Sequence, residues 1–311
     1  MGLAGLAVAT PTDDHVFLLG RPPIGELLGF IRNMALDGQN ADQGALAQEW
    51  RTANDHLKAV EATEAGIADN PPELPLPVAM QPLADRALAD PMYQVAYRFV
   101  PTRVALVDLD RLVVFQKFIN LGFVAALKGT LPNPPTDGDL ARLAFGLDRP
   151  APQVQFMQQG PTVYSAISPS NDFRFLEAKV VAPAQVTGLS SSGRPFACIV
   201  LTVGFGSNYL NALEVEGRLV LSNGSHRAYA LREMGLTHAP CIVQQVTRRD
   251  ELDLVASGDV QANPDRYLKA PRPPLLKDYF DPGLRKVVPV PRKNRLVRVQ
   301  YGYEQSDVPA T

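Results

Sequence analysis

The sequence is poor in the residues that build metal and redox centres: two cysteines and four histidines in 311 residues. Cys198 and Cys241 have no CxxC or zinc-type spacing, and each sits in an apolar run. Both are therefore expected to be small buried hydrophobes with unreactive thiols. No two histidines are close in sequence, which argues against a catalytic zinc. A GxSxG elbow and a GxxxxGK[ST] loop are both missing, and Gly204-Phe205-Gly206 lacks a third glycine, so acyl transfer and P-loop chemistry have no motif to stand on. No apolar stretch reaches the roughly 20 residues of a membrane span. Met1 to Thr10 is apolar but short and without a basic flank, and Leu6 stands where a myristoylation signal needs Ser or Thr;. The expectation is a soluble cytoplasmic protein with no membrane partner.

Charge of either sign is scarce in excess. Thirty Lys and Arg against 32 Asp and Glu leave a net charge of −2, too little positive charge to coat nucleic acid. The distribution is uneven. Residues 1–100 hold 6 basic and 13 acidic side chains, a local −7, so the remainder is +5. From Pro282 to Tyr303 there is no acid, while Arg285, Lys286, Arg292, Lys293, Arg295 and Arg298 are all basic. That run reads as a solvated tail or as a surface for an anionic ligand or partner.

With 46% apolar and 20% charged residues, the chain can bury a core. Pro22-Pro23 opens a helix with the stripe Ile24, Leu27, Leu28, Ile31 and Met34, ended near Gly38;. A second helix, from about Ala41 to Ala65, carries the seam Leu46, Trp50, Ala53, Leu57 and Val60;. The expected organisation is a helical region over 1–70 and a Pro-rich linker with a short helix over 71–100. The main domain follows over 101–250, interrupted by an insertion near 125–195, and a Pro-rich basic arm covers 251–311. Val104 to Val114 reads as a buried strand running into a turn, 130–150 as loop, Val154 to Val181 as an antiparallel pair, and Ala197 to Val203 as a buried strand;.

The informative stretch follows. Glu216-Gly217 makes a tight hairpin between two short strands. Asn223-Gly224-Ser225-His226-Arg227 then joins a strand to a short helix, Ala228 to Met234, which Gly235 closes;. Gly224 permits positive φ and Ser225 can cap the helix. His226 and Arg227 put cationic groups at the positive end of a helix dipole, a few tenths of a kcal/mol unfavourable each until an anion binds. A carboxylate such as Glu214 is the competing partner for Arg227.

The run Asn223-Gly224-Ser225-His226-Arg227-Ala228, with Gly235-Leu236-Thr237-His238-Ala239-Pro240-Cys241-Ile242-Val243 behind it, resembles the ParB/sulfiredoxin-like superfamily. Val107 to Val113, followed by Gln116-Lys117, resembles the first strand of that family and the Gln after it. The resemblance implies an α+β fold with a mixed-sheet core, flanked here by an N-terminal helical region and an extended C-terminal arm. It also implies a phosphate-binding turn made by Asn223, Gly224, Ser225, His226 and Arg227, with Gln116 and Lys117 nearby. The nucleotide would be ATP or CTP with Mg²⁺. His226 and a base drawn from Asp108, Asp110, Glu214 or Glu216 would perform phosphoryl transfer or hydrolysis. Two departures narrow this. Ser225 stands where sulfiredoxins carry the reactive cysteine, and the partition proteins' Glu-Arg is replaced by Ser225-His226 with no helix-turn-helix behind it. The alternative is a non-enzymatic scaffold that uses the N-terminal helices and C-terminal arm for protein contacts as an oligomer.

Overall fold

The structure, a computed structural model, describes residues 10–309. In chain order the elements are β1 (Thr12–Leu18), α1 (Ile24–Met34), α2 (Gln43–Glu64), β2 (Glu73–Leu74), α3 (Gln81–Leu88), α4 (Pro91–Ala96), β3 (Thr102–Asp108), β4 (Phe118–Asn120), α5 (Leu121–Lys128) and α6 (Asp137–Ala144). Then come β5 (Gln155–Gly160), β6 (Val163–Ser168), β7 (Phe173–Val181), β8 (Cys198–Phe205), β9 (Asn211–Val215), β10 (Arg218–Asn223), α7 (Ser225–Glu233) and β11 (His238–Gln245). Short helical turns fill 252–268, and β12 (Arg285–Pro291) and β13 (Arg295–Gln300) close the chain. Helices and several sheets, one of them mixed, make an α+β protein.

Two compact units form, one from 10–148 with 208–292, the other from 149–207 with 293–309. The divisions expected at 70, 100 and 250 all fall inside the first unit. The reason lies in the strands. β1 sits between β12 and β4 in an antiparallel sheet, so both ends of the first unit are bound together. β2 lies on the edge of β3, and Met80, Ala84 and Ala87 are buried, so the Pro-rich stretch expected to be a linker is part of the core. Its prolines sit where they cost no ladder bond: Pro82 lies in the first turn of α3;.

The expected basic arm is likewise strand. Val288 and Val290 of β12 are buried, Lys286 pairs with Glu49 at 2.6 Å, and Arg292 pairs with Asp13 at 2.8 Å. β13 belongs to the second unit, where it pairs with β6. The N-terminal helices form as expected. Asp42 caps α2 by accepting from the Gly44 and Ala45 N–H groups at 2.8 and 3.1 Å;. Leu46, Ala53 and Leu57 turn inward, and the Trp50 indole donates to the Pro22 carbonyl at 2.8 Å. The far end of α2 is held by Arg272, only 1% exposed, which donates to Glu64 and, through both terminal nitrogens, to Asp278. Such a pair holds its geometry because a lone buried charge would cost several kcal/mol.

The central sheet has the order β10-β9-β11-β3-β2. β11 runs parallel to β9 and antiparallel to β3, and its residues from Ala239 to Gln244 are buried, as expected of a strand covered on both faces. Pro240 is tolerated in this central strand because β9 joins only from Ile242 onward;. Among the described residues no helix is long and apolar enough to cross a membrane.

The second unit contains the three-stranded sheet β13-β6-β5 and the hairpin β7-β8. The antiparallel pair expected over 154–181 is β5 with β6, and β7 pairs instead with β8. β8 was expected to be buried; Ile199 is 76% exposed. A β-branched run shows strand preference, but it does not show whether a second layer covers the strand.

Candidate functional site

The strand–turn–helix–strand order forms as the sequence suggests. Glu216 and Gly217 both take positive φ, 49° and 75°, the backbone of a two-residue hairpin whose twist matches its strands. β10 then enters Gly224 at φ 92°. A Cβ there would meet Leu210 Cδ1 at 3.0 Å and Leu210 Cα at 3.1 Å, so both conformation and space require glycine. Ser225, expected to be the cap, is instead the first helical residue; Gly224 occupies the cap position and supplies no side chain. The far end of α7 closes on Gly235 at φ 88°. The Gly235 N–H donates to Arg232 O at 3.0 Å and the Leu236 N–H to Leu231 O at 3.1 Å, the paired bonds of a glycine-ended helix.

Arg227 lies in the first turn of α7, as expected, but its guanidinium is buried, 3% exposed. Nη1 donates to the carbonyls of Leu143 at 3.3 Å, Ala144 at 2.9 Å and Asn208 at 2.7 Å. Leu143 and Ala144 are the last residues of α6, whose final carbonyls have no partner within the helix and form the negative end of its dipole. Arg227 therefore caps another helix. Glu214, the expected competing carboxylate, pairs instead with Arg103. α6 falls in the stretch read as loop. Its signal was present in the sequence: Thr136 and Asp139 form a capping box, and Leu140, Ala141, Leu143 and Ala144 are buried;.

His226 contributes no second cation. Its Nε2 accepts the Asn120 backbone N–H at 3.0 Å, and its ring meets the Phe123 ring edge-on at 5.3 Å between centroids. Burial, with smaller contributions from His15 and Arg227, pushes its pKa down to about 4, so it is neutral at pH 7. The fold also brings in a second histidine that sequence spacing could not reveal. His15 of β1 is the register partner of Asn120, is 7% exposed, and stacks on Phe118 at 5.3 Å. Its pKa is also lowered, by burial against the opposing pull of Asp13 and Asp14.

The candidate carboxylates are dispersed and engaged. Asp108 accepts the Asp110 N–H at 2.9 Å and lies 3.4 Å from the Arg111 guanidinium. Asp110 pairs with Arg232 at 2.6 Å, Glu214 with Arg103 at 2.6 Å, and Glu216 with Arg249 at 2.5 Å. Asp108 faces His238 and Glu214 faces Gln245, at opposite ends of β11, on the order of 20 Å apart along the strand. They cannot serve one reacting atom together. Gln116 gives its carbonyl to the Tyr279 hydroxyl at 2.5 Å, and the Lys117 ammonium lies 3.0 Å from Glu26 and 3.7 Å from Asp259. Gln116 and Lys117 line a small cleft with Arg266 and Tyr267. A more open cleft lies elsewhere, between the end of α1, the start of α2 and β12. Asn223 ends β10, where it faces Asn211 of β9.

The two thiols differ. Cys241 is fully buried, and burial pushes its pKa far up; Cys198, expected to match it, is partly exposed at the start of β8. A thiol reagent is expected to modify one site per folded chain, at Cys198, with Cys241 reacting only after denaturation. Peptide mapping of the labelled protein checks this, and native-state labelling at Cys241 would contradict the burial of β11. No protein-family model, no curated protein and no solved structure matches the chain.

Proposed function

We propose that this chain is a non-enzymatic assembly module. Its ParB/sulfiredoxin-like stretch from Arg218 to Val243 would serve as structural scaffolding, with Asn223–Arg227 as an internal junction. One observation carries the reading: the guanidinium that would hold phosphate is already held by three backbone carbonyls. A phosphate would have to draw Nη1 away from the buried Leu143 and Ala144 and from Asn208, at about 1–3 kcal/mol for each buried acceptor left unpaired. The neutral His226 and the ion-paired carboxylates support the same reading.

A second reading, ATP or CTP binding with Mg²⁺, is favoured by one feature. α7 starts at a left-handed glycine with no side-chain cap, which leaves first-turn N–H groups able to face an anion. Thermal melts of the wild type with ATP, CTP and GTP, each with Mg²⁺, separate the two. The assembly reading expects no shift in Tm at millimolar nucleotide. A shift of several degrees that Gly224→Ala abolishes, in a variant still folded by circular dichroism, would put the nucleotide reading first.

A further inference from the structure

The hairpin β7–β8 has two unlike faces. Its register sets Phe173 opposite Phe205, Phe175 opposite Val203, Ala178 opposite Leu201 and Val180 opposite Ile199. Opposed residues share a face, so these eight side chains form one face with no polar group. The intervening pairs are Arg174 with Gly204, Glu177 with Thr202, Lys179 with Val200 and Val181 with Cys198. They form a mixed face carrying all the hairpin's charge. Leu176, at the bulge between Phe175 and Glu177, lies on this second face against Gly204.

Only the base of the apolar face is covered. Phe173 is 1% exposed, whereas Phe175 is 45%, Val180 67%, Ile199 76% and Leu201 37% exposed. A two-stranded hairpin is marginal in water unless its apolar face packs on another layer. This one alternates as a half-buried sheet does, yet among the described residues no second layer covers it beyond Phe173;.

We infer that this face is a self-association surface for a second copy of the chain; the inference rests on the assembly reading above and names its partner. Three features point to a copy. The face is uncharged, so two identical faces can stack about 10 Å apart as sheets in a sandwich do;. A two-fold contact uses the same patch twice and needs only self-complementarity, which an all-apolar face has. The size also fits. The exposed part of the face offers roughly 500 Å² of apolar side chain, the apolar share expected of about 800 Å² per copy in a stable dimer. The connecting loop mixes Ser190, Ser191, Ser192 and Arg194 with the exposed Leu189 and Phe196, so binding to a lipid surface is made an outcome of the test.

The test uses the full chain in analytical ultracentrifugation at low micromolar concentration. The wild type is expected to sediment at twice the chain mass. Ile199→Lys and Val180→Lys should each shift the population to monomer, weakening association by at least tenfold. Thr202→Lys, on the opposite face, should leave the dimer intact. Because a lysine could disturb the hairpin, Val180→Thr serves as a milder variant, and circular dichroism is recorded for all of them. A wild-type monomer at tens of micromolar would overturn the inference. So would a dimer indifferent to both lysines, or a monomer that floats with anionic phosphatidylcholine/phosphatidylserine vesicles. Failure here is separable from failure of the assembly reading, since the nucleotide melts address the turn and sedimentation addresses the hairpin.

Discussion

Arg227→Ala is expected to destabilise the folded chain by about 3–5 kcal/mol with no nucleotide present. Three carbonyls lose a charged donor; Ala144 keeps the Leu210 N–H at 2.6 Å, while Leu143 and Asn208 lose theirs, at about 1–3 kcal/mol for each acceptor left unpaired. Water entering the space left by the guanidinium recovers part of that. The local consequence falls on α6, whose last turn loses the cation at its negative end;. Arg227→Lys should recover only part of the loss, because an ammonium is more strongly hydrated than a guanidinium and is costlier to bury at this site;. Urea denaturation of wild type and both variants measures this directly. A loss below 1 kcal/mol for Arg227→Ala would mean that the three carbonyls do not depend on Arg227, and the phosphate role would again be open. The wild-type nucleotide melts are independent of this variant, so a poorly folded Arg227→Ala would leave the comparison interpretable.

The sequence made the frame of this region legible and left its wiring hidden, for a physical reason. Gly224 and Gly235 are punctuation: each takes a left-handed backbone, Gly235 closing α7 where expected and Gly224 opening it one residue before the expected cap Ser225;. Glu216-Gly217 marks its hairpin in the same local way. Arg227, by contrast, binds carbonyls 83 and 84 residues away in the chain. Every residue type carries a carbonyl, so such an acceptor leaves no mark in the sequence. A search for the arginine's partner among side chains alone must therefore return a carboxylate or an outside anion. The opposite error occurred at β8. Its run of apolar residues is the local signature of a strand, and the strand exists, but burial is decided by what lies on the other side;. The Asp108 and Glu214 assignments failed to converge because strand register, which no local pattern specified, sent them to opposite ends of β11.

Acid should loosen the first unit before its carboxylates titrate, and His226 should account for much of the effect. Its folded pKa is depressed to about 4 by burial, with His15 and Arg227 adding to the cost of a charge there. In the unfolded chain it returns to about 6.5. Above pH 6.5 neither state binds the proton, and the full stability is present. As pH falls below 6.5 the unfolded chain takes up a proton that the folded chain refuses. Stability then falls by up to about 1.4 kcal/mol per pH unit and levels off near pH 4, a total on the order of 3 kcal/mol. Protonation also removes the acceptor that Nε2 presents to the Asn120 N–H, so the cost is both electrostatic and geometric. His15 shifts in the same direction, for burial reasons of its own. The variant His226→Gln isolates the contribution, because its amide oxygen can accept the same N–H without titrating. The difference in unfolding free energy between wild type and His226→Gln, measured in urea at intervals from pH 7.5 to pH 4, is expected to change steadily between pH 6.5 and 4 and to be flat above 7. A difference that stays constant across the whole range would show that His226 titrates normally in the folded chain, and that its ring is not sealed between Asn120 and Phe123.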